Sequence, residues 1–211
     1  AKSNNLDMLL YGAKTIWEKE NEKRINAYDR ENITKEVLSG QGLLEELVKK
    51  GGYRASACMY LIRRKMVRDN NLLFMEKILH EDELFTPIAL MKAQRAAYRN
   101  WLIYRRYVRE GSITTSNNAP QRLKSLAIVI YKLIQFIKTE EKNTDDMEEV
   151  WKIISDHIRF FLGQTLYIQE MDNELEAYRE EITRLVREQH IKLGIKFRCY
   201  LVYLHLRKVF I

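Results

Sequence analysis

FTPIALMKAQRAAYRNWLIYRRYVRE, residues 85–110, is the stretch on which the expected fold turns. Thr86 offers a capping hydroxyl, and Pro87 suits a first helical position, where its missing N–H costs nothing. No further Gly or Pro follows until Gly111. The spacing therefore predicts one long helix to Glu110. On it, Arg95, Arg99 and Arg106 would share one side, and Ala97, Trp101, Tyr104 and Val108 would face another.

The flanking sequence reads the same way. Leu6, Leu9, Leu10, Ala13, Ile16 and Trp17 recur at three- and four-residue spacing, which predicts a helix to about Tyr28. A second helix fits residues 30–50, with possible breaks at Gly40 and Gly42 and a stop at Gly51-Gly52. A third fits residues 53–80, with a weak point at Asp69-Asn70-Asn71. In that reading His80-Glu81-Asp82-Glu83 closes the third helix and solvates the connection to the next. SITTSNNA, residues 112–119, is small and polar and reads as a linker. Pro120 then opens a helix to about Lys142, and Asn143 to Asp146 form a capping turn. Residues 147–211 read as helices bent near Gly163 and Gly194. The alternation Ile195, Phe197, Cys199, Leu201, Tyr203 also fits a strand, but the stripe upstream is in helical phase.

Only 2 Pro and 8 Gly in 211 residues imply few turns and long elements. The expected fold is thus all-α, a bundle of six to eight helices. It divides into an N-terminal half (1–111), a linker (112–120) and a C-terminal half (121–211), unless the whole chain is one domain. Apolar residues at 46% and charged residues at 31% fit a folded chain with a real core. Cys58 and Cys199 form no metal-type spacing, and two buried free thiols in a reducing compartment are the simpler expectation. Asn32-Ile33-Thr34 is a glycosylation triplet of the kind that arises by chance. No secretory signal precedes the first helix, and the basic residues within 195–211 interrupt any membrane span. The compartment expected is intracellular, cytoplasmic or nuclear, with secretion left open. An exposed apolar end at Val209-Phe210-Ile211 suggests a trimmed chain or a piece of a longer one.

Several chemistries lack their residues. There is no glycine-rich phosphate loop, no HExxH, and no Glu three residues before any of His80, His157, His190 or His205. No metal and no cofactor are called for. Glu170, Glu174, Glu176, Glu180 and Glu181 read as a salt-laced helix face with Arg179, Arg184 and Arg187. Nothing in the pattern marks a desolvated acid, so no catalytic residue is expected.

Charge is uneven. The net charge is +7. Residues 53–111 hold twelve basic and six acidic residues, so nearly all of the excess lies there. Arg63, Arg64, Lys65 and Arg68 form one cluster. Arg95, Arg99, Arg105, Arg106 and Arg109 form another, interleaved with Tyr98, Trp101 and Tyr107. Arginine forks suit phosphate or carboxylate, and exposed aromatic rings could stack on bases. The function expected is a non-enzymatic helical assembly module whose partner is another protein or a second copy of itself. An RNA- or DNA-binding protein using the basic helical face is the alternative. Helix 123–137, apolar on most sides, favours the first, because such a helix must be covered.

Overall fold

The computed structural model describes residues 4–17, 28–108, 119–140, 147–168 and 170–188. The chain forms two compact units, residues 1–118 with 142–149, and residues 119–141 with 150–211.

The first unit is α/β, and the all-α expectation is wrong there. Its elements are β1 (Met8–Trp17), β2 (Val37–Leu38), α1 (Gly40–Lys49), β3 (Tyr60–Ile62), α2 (Arg64–Asp69), α3 (Glu81–Lys92) and β4 (Ala96–Val108). The four strands form a mixed sheet in the order β2-β4-β1-β3. β1 and β4 run parallel, from Met8 beside Ala96 to Trp17 beside Val108, with register shifts around Gly12. β3 and β2 close the two sides antiparallel, over three and two residue pairs.

The reason the spacing misled lies in burial. Met8, Leu9 and Leu10 are all buried, so the first part of β1 is covered on both faces. A strand covered on both faces reads as a continuous apolar run, which periodicity alone cannot separate from a buried helix. Leu9 packs with Leu6, Ala97 and Val37. Residues 85–110 are likewise divided. α3 ends at Lys92, and Ala93 is extended at φ −75°, ψ 127°. The amides of Gln94 and Arg95, which a continuing helix would turn inward, both donate to Asp7 Oδ2 at 3.0 and 3.1 Å. Asp7 N donates in turn to Arg95 O at 2.8 Å. A side chain 88 positions away thus takes over the hydrogen bonds that would extend the helix. Beyond it, Tyr98, Trp101, Ile103, Tyr104, Tyr107 and Val108 are residues that favour a pleated surface.

The other helices of this unit are shorter than expected. The predicted helix 53–80 is instead a 3₁₀ turn at Ala57–Met59, then β3, α2 and irregular chain. α3 starts at Glu81, six residues ahead of Pro87, which lies inside it. Three acidic residues in its first turn complement the positive end of the helix dipole.

α1 packs on α3 and on β4, burying Leu43, Leu44 and Leu47. Ser39 caps it by accepting from Gly42 N at 3.0 Å. It stops where the glycines predicted, with Gly51 at φ +67°. Gly40 has a different role. A Cβ there would lie 2.0 Å from Leu90 O and 2.7 Å from the Ala93 Cβ, where α1 meets the end of α3. Gly40→Ala is expected to lower stability by about 3 kcal/mol, because only a shift of one helix relieves a clash with backbone. Urea denaturation checks this, with Gly42→Ala as the milder control.

The second unit carries α4 (Ala119–Thr139), α5 (Glu148–Thr165) and α6 (Asn173–Glu188). Each buries one apolar stripe, with Leu126, Ile130 and Leu133 on α4 and Ile154, Ile158 and Phe161 on α5; α4, expected to need cover on most sides, leaves Tyr131 44% exposed. α6 packs on α4, and Lys124 Nζ lies 2.9 Å from Asp172 and 2.6 Å from Glu174. Among the described residues no helix is long and apolar enough to cross a membrane. Residues 189–211, including the alternation around Phe197, lie outside the described residues.

Candidate functional site

The chemistry gathers at the start of α3. The backbone leading into it is twisted into the left-handed region twice without glycine, at Lys77 (φ 63°) and at His80 (φ 67°). Such residues cost of order 1 kcal/mol each, and strain of this kind concentrates at functional sites. His80 is the N-cap residue, and Glu83 N donates to its carbonyl at 3.0 Å.

Asp82 follows. Its carboxyl is pushed up to about 6, first by burial and then by the charges of Glu83 and Glu81; backbone amides of Glu83 and Ala57 donate to it and partly offset the rise. A carboxylate held near neutrality can take a proton at working pH and release it again. The surroundings are aromatic. Burial raises Tyr53 well above the usual phenol range, and the Glu83 and Asp82 charges add to that. The Tyr53 hydroxyl oxygen is buried and has no hydrogen-bond partner among the described residues. Tyr60 is pushed up to about 12, mainly by burial, with Asp82 and Cys58 contributing and a hydrogen bond with Thr86 opposing. The Tyr60 ring lies parallel to Phe85 at 6.4 Å, and Phe85 stacks on Phe74 at 4.1 Å.

Cys58, expected to be buried, is exposed. It accompanies Tyr104, whose phenol is raised first by a hydrogen bond with that thiol. Cys199 lies outside the described residues. Groups of three or more metal-ligating side chains are absent among the described residues.

The basic residues singled out from sequence are spread over different elements. Arg63 caps α2 and donates to Asn5 Oδ1 at 2.7 Å, with Asp7 at 3.6 Å. Arg64, Lys65 and Arg68 lie on α2, where Lys65 pairs with Asp69. Arg95 donates to Asn4 O at 3.2 Å, and Arg99 to Lys35 O at 2.6 Å. Arg99, Arg105 and Arg106 lie on β4, and Arg106 stands 5.7 Å over the Tyr28 ring. Arg109 lies outside the described residues. Of the aromatics, Tyr98 is buried, whereas Trp101 and Tyr107 are exposed. Arg95, Arg99 and Arg106 were expected on one side of a helix, and that helix does not exist.

Sequence reasoning missed Asp82 as a site. It placed the acidic run at the end of a helix, where it would be solvated. The run opens a helix instead, and its middle member is desolvated.

The sequence matches no family model and no curated protein. Solved structures do resemble the fold. The chain is similar to S. aureus TarS 1-349 in complex with UDP-GlcNAc, with a TM-score of 0.66 and 17% identity, over 97% of this chain and 57% of that one. It is also similar to a second S. aureus TarS structure, with a TM-score of 0.60 and 16% identity, over 99% of this chain and 34% of that one. The chain thus spans little more than half the length of the first and about a third of the second. This likeness and the mixed sheet overturn the expected non-enzymatic helical assembly module, and with it the alternative of a nucleic-acid-binding helical face. The expectation of no enzymatic role is contradicted by the same likeness, since the fold resembles that of a structure solved in complex with UDP-GlcNAc.

Proposed function

We propose that this chain is part of an enzyme that transfers a sugar from a nucleotide-sugar donor to a hydroxyl acceptor, with Asp82 as the general base. The observation that carries this is the Asp82 carboxyl, held at about 6 at the head of α3. In sugar transfer the acceptor oxygen must lose a proton as it attacks the anomeric carbon, while the nucleoside diphosphate departs with the electrons of the broken C–O bond. A carboxylate with affinity for a proton near neutral pH suits that role. The likeness to TarS supports a nucleotide sugar such as UDP-GlcNAc as donor, since one of those structures holds it.

The test is UDP release from UDP-GlcNAc by the full chain over a panel of sugar acceptors, with Asp82→Asn alongside. Acceptor-dependent UDP release that collapses in Asp82→Asn is the expected result. Release that is independent of both acceptor and Asp82 would overturn the assignment.

A further inference from the structure

Phe74 is 44% exposed, and its neighbour Leu73 is 84% exposed. Yet the Phe74 ring is not loose. It lies 4.1 Å from Phe85 with 15° between the planes, and Phe85 is itself a buried residue of α3. One face of Phe74 is therefore fixed and the rest of the ring is offered to solvent. Phe85 stands three residues after Asp82 on the same helix, which places the two on neighbouring positions of one side. A flat, pre-positioned apolar surface thus adjoins the turn that carries the desolvated acid.

We infer that Phe74 is the platform on which the acceptor's sugar ring stacks, and that the acceptor is a neutral pyranoside. This rests on Asp82 being the base of the proposed transfer. The chemistry selects this class in two steps. A pyranose has a face of C–H groups and a rim of hydroxyls. The C–H face complements the negative face of an aromatic ring. The rim then reaches toward Asp82 at the head of the same helix. Glu81, Asp82 and Glu83 together repel an anionic acceptor. A linear polyol has hydroxyls but no flat apolar face, so it gains little from Phe74.

The experiment is a saturation-transfer NMR titration of the full chain with methyl β-glucopyranoside, methyl β-galactopyranoside and, as a linear control, ribitol. Pyranosides are expected to bind through their C–H faces, and ribitol is not. Phe74→Ala should weaken pyranoside binding about three- to tenfold, the range an aromatic stacking contact supplies. Phe74→Leu keeps the apolar packing on Phe85 but removes the π face, and should weaken binding to a similar degree. Phe74→Trp should stay within about twofold of the wild type, since it keeps the flat face. The inference is overturned if no pyranoside binds, if ribitol binds equally well, or if Phe74→Leu leaves affinity unchanged. Asp82→Asn separates the two readings. If it leaves turnover intact, the base assignment fails, whereas the Phe74 platform is judged by binding alone.

Discussion

Asp82→Asn is expected to abolish sugar transfer and to make the protein more stable. The activity loss should be about 10²- to 10⁴-fold, the usual contribution of a positioned proton acceptor. Wild-type turnover should rise with pH up to about 6 and level off above it, because the base acts only when deprotonated and its carboxyl is held at about 6. Below that point the rate should fall tenfold per pH unit. Stability runs the other way. The folded state binds the Asp82 proton more tightly than the unfolded chain does, so this group favours folding most at low pH. That advantage is lost as pH rises from about 4 through about 6. Asparagine resembles the protonated acid and never pays to bury a charge. At pH 7.5 Asp82→Asn should therefore raise Tm. Solvent screening at this half-buried position limits the gain to about 1 kcal/mol, or about 2–4 °C for a chain of this size. At pH 4 the two proteins should melt together. A mutant that loses activity and melts lower at pH 7.5 would show Asp82 to be structural. The opposite signs are what a functional acid held against its solvation predicts.

What could be read from residue spacing follows from which interactions are local. α4, α5 and α6 were legible as helices because their apolar spacing is a signal carried within one element, although α4 buries one side where cover on most sides was expected. The stop at Gly51 was legible because a left-handed residue after a helix is a local need. β1 and β4 were not, since their pairing joins residues almost ninety positions apart. The device that ends α3, the Asp7 carboxylate on the amides of Gln94 and Arg95, acts over the same separation. Asp82 was missed for a related reason. The apolar residues Leu72, Leu73, Ile78 and Leu79 suggested a helix continuing to His80, whereas α2 ends at Asp69. Three acids followed by Leu84 and Phe85 are themselves a helix-start signal. The Thr86-Pro87 pair outweighed it, although Pro87 proved to be interior to the helix. The groups that meet Asp82 from elsewhere in the chain, the Ala57 amide and the Tyr53 and Tyr60 phenols, lie on segments that spacing does not bring near it.

Replacing Arg30 is expected to lower stability at least as much as Gly40→Ala does. Arg30 is only 4% exposed. Its Nη1 donates to Gly52 O at 2.8 Å, and its Nη2 donates to Tyr11 O at 3.0 Å. The guanidinium lies 4.6 Å over the Tyr98 ring, and its backbone N donates to Asn100 Oδ1 at 3.2 Å. One side chain thus ties β1, β4 and the turn after α1 together. Burial lowers its affinity for the proton, with Tyr98 offsetting part of the cost. A buried charge alone would argue that methionine, of similar length, is harmless or stabilising. The two carbonyls decide otherwise. Gly52 O stays buried and Tyr11 O partly so when the guanidinium is gone, and a buried acceptor left unpaired costs about 1–3 kcal/mol. Arg30→Met is therefore expected to cost about 3 kcal/mol or more. Arg30→Lys keeps the charge, but its compact ammonium lacks the planar fork that spans both carbonyls and stacks on Tyr98, so it should recover only part of the loss. Urea denaturation of the three proteins measures this through the midpoint at constant slope. If Arg30→Met matched the wild type, the burden of the charge would equal the value of its bonds, and the fork would not be what fastens β1 to Gly52.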